Sequence, residues 1–265
     1  GSGFATFNGC TSGCTINVNS ACQSVHFGGF VGTSGSTMFF DDCKRNAPLT
    51  VAGSANGDLS VGGFAGYFSY GIKFTNCENT ANATIKISSV TVSDDNNYYI
   101  GGFAAYSNVK PANSASVAYG NMTTFQNCTN NGNITVDAAA GTNNDYLAVA
   151  GIIGRANREG AKLIDCDNYG TITILSPSTS SGKTYNAKVV CQGGLIGLLA
   201  TTDAGHQTDV LSNLTNYGKI RFFGKASDTS HIGGVGGLLS DTGTTNCSSF
   251  VNESTGAILL SGTVN

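Results

Sequence analysis

Residues 163–174, L-I-D-C-D-N-Y-G-T-I-T-I, contain the pattern that decides the fold. Cys166 stands three residues after Leu163, and Asn168 and Gly170 follow it two and four residues later. The stretch ends in T-I-T-I, the period-2 alternation of a β-strand with one buried face. The pattern recurs along the chain, so we interpret it as one unit of a repeat.

Aligned on this stretch, the copies form columns of like residues. The cysteine column contains Cys10, Cys43, Cys77, Cys128, Cys166, Leu214 and Phe250. An apolar residue stands three positions earlier, and an asparagine stands two positions later in five copies. An apolar stretch with a glycine pair, as in F-G-G-F-V-G from Phe27, occurs six times, with Ala150 replacing the first glycine in one copy, at spacings from 34 residues (27 to 61) to 49 residues (100 to 149).

Each copy therefore predicts three short strands separated by Gly/Asn turns. One copy cannot bury its apolar face alone, but stacked copies share a continuous core. We predict an all-β, single-stranded β-solenoid, a right-handed parallel β-helix of about seven coils with long loop insertions, as a single domain over residues 1–265. A β-sandwich is the alternative, but it would not produce columns. Whether the chain is a fragment of a longer protein stays open.

Two local expectations follow from the same columns. Leu163 and Cys166 are both apolar, and a straight strand would send them to opposite faces, so we expect a bend or bulge between them. Gly132, Gly170 and Gly218 stand four residues after the cysteine column, where we expect turns with positive φ.

Composition limits the classes of partner. Charged residues make up 11% of the chain, with 13 Lys and Arg and a net charge of −3, so no basic surface favours nucleic acid. No apolar run approaches the roughly 20 residues of a membrane span, so we expect no membrane insertion.

The pattern G-G-Φ-Φ-G, a variable stretch and then Φ-x-x-C-x-N-x-G-x-Φ resembles the GLUG repeat. The resemblance covers Phe7 to Leu260, with Ala105 and Ala150 replacing glycines and Leu214 and Phe250 replacing the cysteine. GLUG repeats occur in bacterial surface proteins and beside the catalytic domain of some immunoglobulin-cleaving metallopeptidases. The resemblance implies a solenoid-like extracellular module that carries no catalytic residues of its own.

The nine cysteines allow several interpretations. Because Leu214 and Phe250 share the cysteine column, the position favours a small buried apolar group, and we expect an inert core ladder. A disulfide among Cys10, Cys14 and Cys22 stays an alternative. Zinc sites use close pairs such as C-x-x-C, which the chain lacks, so we expect no metal or cofactor.

Parallel β-helices often act on polysaccharides, which makes a polysaccharide-binding or polysaccharide-degrading enzyme the alternative function. Two acidic pairs, Asp41 with Asp42 and Asp165 with Asp167, are separated by two intervening coils. They do not form one reacting centre, and we expect a protein that is not an enzyme.

The insertions are the candidate recognition segments, because solenoid insertions map to loops. They carry five tyrosines suited to glycan or protein contact, or equally to packing over the solenoid wall: Tyr98, Tyr99, Tyr119, Tyr146 and Tyr185. We therefore expect a secreted or cell-surface adhesion or structural module. Its expected partners are host or matrix glycans or proteins, or neighbouring copies that stack end to end into filaments.

Overall fold

The computed structural model describes residues 4–22, 24–55, 57–92, 96–109, 122–137, 146–158, 161–175, 187–201, 209–223, 229–241 and 245–260. Every regular element in these ranges is a β-strand, and all strand pairs are parallel partners from successive coils. The predicted all-β parallel β-helix of about seven coils is confirmed. Its handedness stays a prediction.

The strands of the first four coils are as follows. Coil 1 contains β1 (Phe4–Asn8), β2 (Thr11–Ser12), β3 (Ile16–Cys22), β4 (Val25–Gly28) and β5 (Val31–Ser34). Coil 2 contains β6 (Thr37–Asp41), β7 (Lys44–Arg45), β8 (Leu49–Ala55), β9 (Leu59–Gly62) and β10 (Ala65–Phe68). Coil 3 contains β11 (Ile72–Thr75), β12 (Glu78–Asn79), β13 (Ile85–Val92), β14 (Tyr98–Gly101) and β15 (Ala104–Val109). Coil 4 contains β16 (Thr123–Gln126), β17 (Thr129–Asn130), β18 (Ile134–Asp137), β19 (Tyr146–Ala150) and β20 (Ile153–Arg158).

In the last three coils the first two strands are assigned as one. Coil 5 contains β21 (Ala161–Asn168), β22 (Ile172–Leu175), β23 (Val189–Gly193) and β24 (Ile196–Thr201). Coil 6 contains β25 (Asp209–Asn216), β26 (Ile220–Phe223), β27 (Thr229–Gly233) and β28 (Gly236–Asp241). Coil 7 contains β29 (Thr245–Asn252) and β30 (Ile258–Leu260).

Four sheets run along the solenoid. Sheet 1 is built on the cysteine repeat and has eleven strands, from β1 and β2 to β29. Sheet 2 has seven strands, β3 to β30. Sheets 3 and 4 have six strands each, β4 to β27 and β5 to β28. The single strand predicted at each glycine pair is divided in two, because the pair forms a corner between sheets 3 and 4.

The predicted bend in sheet 1 is made by a single residue whose backbone is in the left-handed region of φ/ψ space. The residue immediately before the cysteine column has φ between 50° and 60° in all seven coils: Gly9, Asp42, Asn76, Asn127, Asp165, Asn213 and Ser249. Asn, Asp and Gly tolerate this conformation best among the common residues. The bend lets the side chains of Leu163 and Cys166, both fully buried, point into the same core.

The asparagine column forms a ladder inside the solenoid, and not the surface turn that the sequence indicated. Asn168 is fully buried, and its Nδ2 donates to Gly170 O at 2.9 Å and to Asn216 Oδ1 at 2.8 Å. Asn130 donates to Asn168 Oδ1, and Asn216 donates to Asn252 Oδ1, each at 2.8 Å. We call Asn79, Asn130, Asn168, Asn216 and Asn252 the asparagine ladder.

The ladder packs against the corner made by the second glycine of each pair. A Cβ on Gly102 would lie 2.8 Å from Asn130 Oδ1, and a Cβ on Gly63 would lie 2.9 Å from Asn79 Nδ2. This contact divides the interior into two apolar columns. One column, with Phe40 and Cys166, lies between sheets 1 and 4. The other, with Ile172, lies between sheets 2 and 3.

The expectation of positive φ at Gly132, Gly170 and Gly218 is wrong. Among the described residues Gly9 is the glycine with positive φ. The three positions require glycine for space, since a Cβ on Gly170 would lie 2.8 Å from Asn130 Nδ2 and closer still to Gly132 O.

The first coils have different side chains three residues before the cysteine column and at the position of the asparagine ladder. Phenylalanine rings stack from coil to coil, with centroid distances of 4.6 Å for Phe7–Phe40 and 5.0 Å for Phe40–Phe74. Arg45 occupies the ladder position in coil 2, is 2% exposed, and donates to Ala83 O at 2.9 Å. Burial lowers the pKa of Arg45 to about 10, so the guanidinium stays charged at neutral pH.

We expect Asn168→Ala to reduce the free energy of unfolding by about 3 kcal/mol, because it leaves one Asn130 N–H, Asn216 Oδ1 and Gly170 O without partners. Urea denaturation followed by circular dichroism measures the change. Thr173→Ser, on the outer face of the same coil, is the control and should change stability by less than about 0.5 kcal/mol. Equal stability of the two variants would contradict the ladder's role.

Candidate functional site: a tyrosine and arginine crevice

The structure places three of the five predicted contact tyrosines. Tyr98 and Tyr99 lie in β14 and Tyr146 begins β19, so these residues are in strands and not in loops. Tyr119 and Tyr185 lie outside the described residues. Tyr98 is 1% exposed and packs in the column between sheets 2 and 3, so its ring is not at the surface.

Tyr99 points the opposite way, to the outer face of sheet 3. Its ring packs with Ala105, Ala148, Cys191 and Leu198 in a third apolar cluster. This cluster lies between the outer faces of sheets 3 and 4, which converge because the corner between them is acute.

The acute corner depends on the last glycine of the G-G-Φ-Φ-G pattern. A Cβ on Gly66 would lie 2.7 Å from Phe27 N, and a Cβ on Gly154 would lie 2.8 Å from Ile100 N. The strands of sheet 4 therefore approach the backbone of sheet 3 in the preceding coil. Away from the corner, outward side chains of the two sheets pack against one another, and several of them remain partly exposed.

We call the outer surface where sheets 3 and 4 meet the crevice. Its polar and aromatic part lies in coils 1 to 4 and is lined by His26, Asp58, Ser60, Tyr67, Tyr99, Tyr106, Asn108, Tyr146, Arg155 and Asn157. In coils 4 and 5 the two sheets are packed together by Ala148, Cys191 and Leu198, which are at most 2% exposed.

Arg155 is at the centre of the polar part. Its guanidinium carbon lies 5.2 Å from the ring centroid of Tyr99, 5.4 Å from that of Tyr106 and 5.5 Å from that of Tyr146. Its Nη1 also donates a hydrogen bond to the Tyr99 hydroxyl. Cation–π contacts with three rings fix the position of the charge while the side chain stays partly exposed.

A second group of contacts continues toward coil 1. Tyr67 lies 5.4 Å from Tyr106 and 5.0 Å from His26, measured between ring centroids. The amide of Asn108 donates to the Tyr67 hydroxyl at 3.3 Å, and that of Asn157 donates to the Tyr106 hydroxyl at 3.4 Å. The partly exposed rings of Tyr67, Tyr106 and Tyr146 are thus held in fixed orientations.

The electrostatics of the crevice follow from burial. Desolvation raises the pKa of Tyr99 well above its ordinary value, although the charge of Arg155 opposes the shift. Burial lowers the pKa of His26, and the nearby Asp58 carboxylate counteracts this. Tyr99 is therefore a neutral hydroxyl and His26 a neutral imidazole at physiological pH.

Several buried polar atoms of the crevice have no hydrogen-bond partner among the described residues. They are His26 Nδ1, Ser60 Oγ, Arg155 Nε and Asn157 Oδ1. Folded proteins leave few such groups, and each one requires an explanation. Other atoms of this kind lie elsewhere in the described residues, among them Asn79 Oδ1 and Asn130 Oδ1 of the asparagine ladder, so these atoms do not by themselves mark a binding site.

The sequence interpretation missed Tyr67, Tyr106 and Arg155. A signal was present, since the three residues share one register four or five positions after the glycine pair and pair as neighbours in sheet 4. The alignment treated the residues after the glycine pair as core, and did not consider which of them face outward.

The cysteine column is buried in coils 2 to 6. Its members Cys43, Cys77, Cys128 and Cys166 are at most 1% exposed, and Leu214 continues the column fully buried. Cys10 is partly exposed in coil 1, and Phe250 is 38% exposed in coil 7. The thiols donate to the carbonyl two residues earlier, as from Cys166 to Ile164 O at 3.3 Å, so a cysteine also satisfies a backbone acceptor beside the bend.

The alternative disulfide is not formed by Cys10 or Cys14, which are free thiols. The side chain of Cys22 lies outside the described residues. Burial raises the pKa of Cys43 and of Cys128, and it raises that of Cys191 to about 12. These three buried thiols are therefore poor nucleophiles, whereas hydrogen bonding with Cys128 lowers the pKa of Cys77, which is protected by its burial alone.

We expect a thiol reagent at neutral pH to modify the exposed Cys14 and Cys247 within minutes. Modification of Cys43, Cys77, Cys128, Cys166 and Cys191 should require unfolding, because all five side chains are buried and the reagent cannot reach them. Peptide mass spectrometry after timed labelling, with and without urea, measures the order. Early labelling of Cys128 or Cys166 in the native protein would contradict the inert ladder.

Three other findings concern the described part of the chain. It contains no group of three His, Cys, Asp or Glu side chains that could hold a metal ion. None of its regular elements is a helix with the length and hydropathy to cross a membrane. Lys44 Nζ pairs with Glu78 Oε2 at 3.2 Å on the outer face of sheet 1, which is a weak surface interaction.

Comparison with protein-family models, curated proteins and solved structures finds no match to this chain. The resemblance to the GLUG repeat stays a prediction, and the crevice is described by its own geometry alone.

Proposed function

We propose that this chain is a secreted or cell-surface β-solenoid that acts as an adhesion module and holds a glycan in the crevice. One observation carries the proposal: partly exposed tyrosine rings, two asparagine amides and a guanidinium converge on one outer face of the solenoid.

The chemistry of the crevice suits a sugar. Tyrosine rings offer flat apolar area to the C–H face of a pyranose, and their hydroxyls stay available to polar groups. Asn108, Asn157 and Arg155 add planar donors at the rim. Aromatic side chains with a few fixed polar groups are the usual lining of a small-ligand site. The rings are held by contacts within the fold, so little ordering is required on binding.

A glycan and matrix-protein array with the whole chain tests this proposal. We expect binding to a set of glycans, weakened at least tenfold by Tyr106→Leu, because the substitution removes a ring and a hydroxyl but keeps apolar volume. Tyr169→Leu is the matched control, since Tyr169 is 48% exposed, stacks on Tyr217 at 4.4 Å, and lies at the turn between sheets 1 and 2.

The control variant should retain the affinity of the wild type, and thermal melts should show that both variants are folded. Absence of glycan binding, or equal losses in the two variants, would contradict a glycan site in the crevice. The same incubation tests the enzymatic alternative, in which polysaccharide would be cleaved and new reducing ends would appear.

End-to-end stacking into filaments is a second proposal, supported by the surface of coil 7. There Phe250, Ile258 and Leu260 continue the core columns and are 38%, 40% and 53% exposed. Unpaired parallel strands with apolar side chains are a template for further strands, and head-to-tail contacts produce fibres.

We expect sedimentation velocity to show species larger than the monomer that grow with concentration. Leu260→Lys should shift the distribution to the monomer, because burial of an unpaired ammonium is unfavourable. Lys219→Ala, at an exposed turn, is the control. A monomer at all concentrations would contradict stacking and would leave the glycan proposal unaffected.

A further inference from the structure

We infer that the crevice selects glycans that carry a carboxylate, with Arg155 as the residue that recognises the negative charge. This inference rests on the proposed glycan-binding function and names the chemical class of its ligand.

The charge of Arg155 has no ionic partner in the described part of the chain. Among those residues, the ion pair with a nitrogen-to-oxygen distance of 4.0 Å or less joins Lys44 to Glu78. The hydrogen bond that Arg155 donates goes to the Tyr99 hydroxyl, which is neutral. A guanidinium presents five N–H donors in a planar fork that matches a carboxylate. The Tyr99 hydroxyl occupies one Nη1–H and leaves the rest of the fork without an anionic acceptor.

The surroundings of Arg155 favour an anion. Its neighbours Tyr99, Tyr106, Tyr146 and Cys191 include no carboxylate, and burial raises the pKa of Tyr99 and of Cys191, which keeps these two groups neutral at physiological pH. Partial desolvation by three rings strengthens a charge-assisted hydrogen bond compared with one in water. Asp58, the carboxylate of the crevice, lies two coils away, about 10 Å along the axis at the strand spacing.

The arrangement of rings places the rest of the sugar. Tyr106 and Tyr146 both lie against the guanidinium, with ring centroids 5.4 Å and 5.5 Å from its carbon, so a sugar bound at either ring can present a carboxylate to Arg155. Asn157 is next to Arg155 on the same side of Tyr106, with a buried Oδ1 that lacks a partner. Its amide can exchange the weak contact with the Tyr106 hydroxyl for a sugar hydroxyl.

The test compares matched acidic and neutral ligands by isothermal titration calorimetry with the whole chain. The probes are oligosaccharides of galacturonate and of hyaluronan, each with free carboxyls and with methyl-esterified carboxyls. We expect at least one free acid to bind tenfold or more tightly than its ester, with a preference that falls as salt increases.

Three variants locate the preference. Arg155→Gln should bring the affinities for acid and ester within about twofold, whereas Arg155→Lys should retain part of the preference, because it keeps the charge but loses the fork. Tyr169→Leu should retain all of it. Thermal melts identify any variant that is not folded, and Arg155→Lys keeps the test meaningful if Arg155→Gln unfolds.

The outcomes separate the two proposals. Equal affinity for acids and esters, binding of neither, or a preference that Arg155→Gln leaves intact would overturn the carboxylate inference. If the array nevertheless shows neutral glycans whose binding depends on Tyr106, the glycan-binding function stands. If the array shows no glycan binding, the function itself fails.

Discussion

The contact between the asparagine ladder and the glycine corner is the constraint on which the rest of the structure depends. A buried amide satisfies a turn carbonyl in its own coil and donates to the amide of the next coil, so it fixes both the turn and the stacking register. Because the glycine opposite has no side chain, the two walls meet at the middle of the solenoid. Each coil thus encloses two narrow apolar columns that medium-sized side chains fill completely.

The same corner produces the crevice. Glycines allow the backbones of sheets 3 and 4 to approach on the outside, at Gly66 and Gly154, where any Cβ would meet the neighbouring strand. Two outer faces that would otherwise be separated by the body of the protein become neighbours. Residues from four coils, including Tyr67 and Arg155, therefore line one surface although they are far apart in sequence. The feature that closes the core also brings the residues of the candidate site together.

The sequence predicted the number of coils, the cysteine column and the registers of sheet 2, since these depend on local periodicity. It also predicted the bend before Cys166, because two apolar residues three apart cannot share a face of a straight strand. It could have identified the left-handed residue as well, given that Asp42, Asn76, Asn127, Asp165 and Asn213 form a column of types that tolerate positive φ.

The candidate site was predicted in part. From the sequence we predicted Tyr99 and Tyr146 as contact residues. We predicted the same for Tyr98, which is a core residue, because both adjacent tyrosines were assigned to a loop. It placed Asn168 in a turn, because asparagine is common there and seldom forms a buried ladder. The partners of Arg155 depend on the angle between two sheets, which is a tertiary property that no local pattern encodes.

Two kinds of side-chain stack link successive coils, and they occur in different parts of the solenoid. Stacked phenylalanines link coils 1 to 4, where Phe74–Phe125 is the last pair at 4.9 Å. The inter-amide hydrogen bonds link coils 4 to 7. Coil 4 belongs to both sets. Backbone hydrogen bonds of the parallel sheets join every pair of successive coils, and the two kinds of stack add side-chain contacts to them. The dispersion energy of stacked rings changes gradually when one ring shifts on the other, whereas a directional hydrogen bond between amides weakens steeply when its geometry changes. The side chains of the C-terminal coils therefore fix the register more strictly than those of the N-terminal coils.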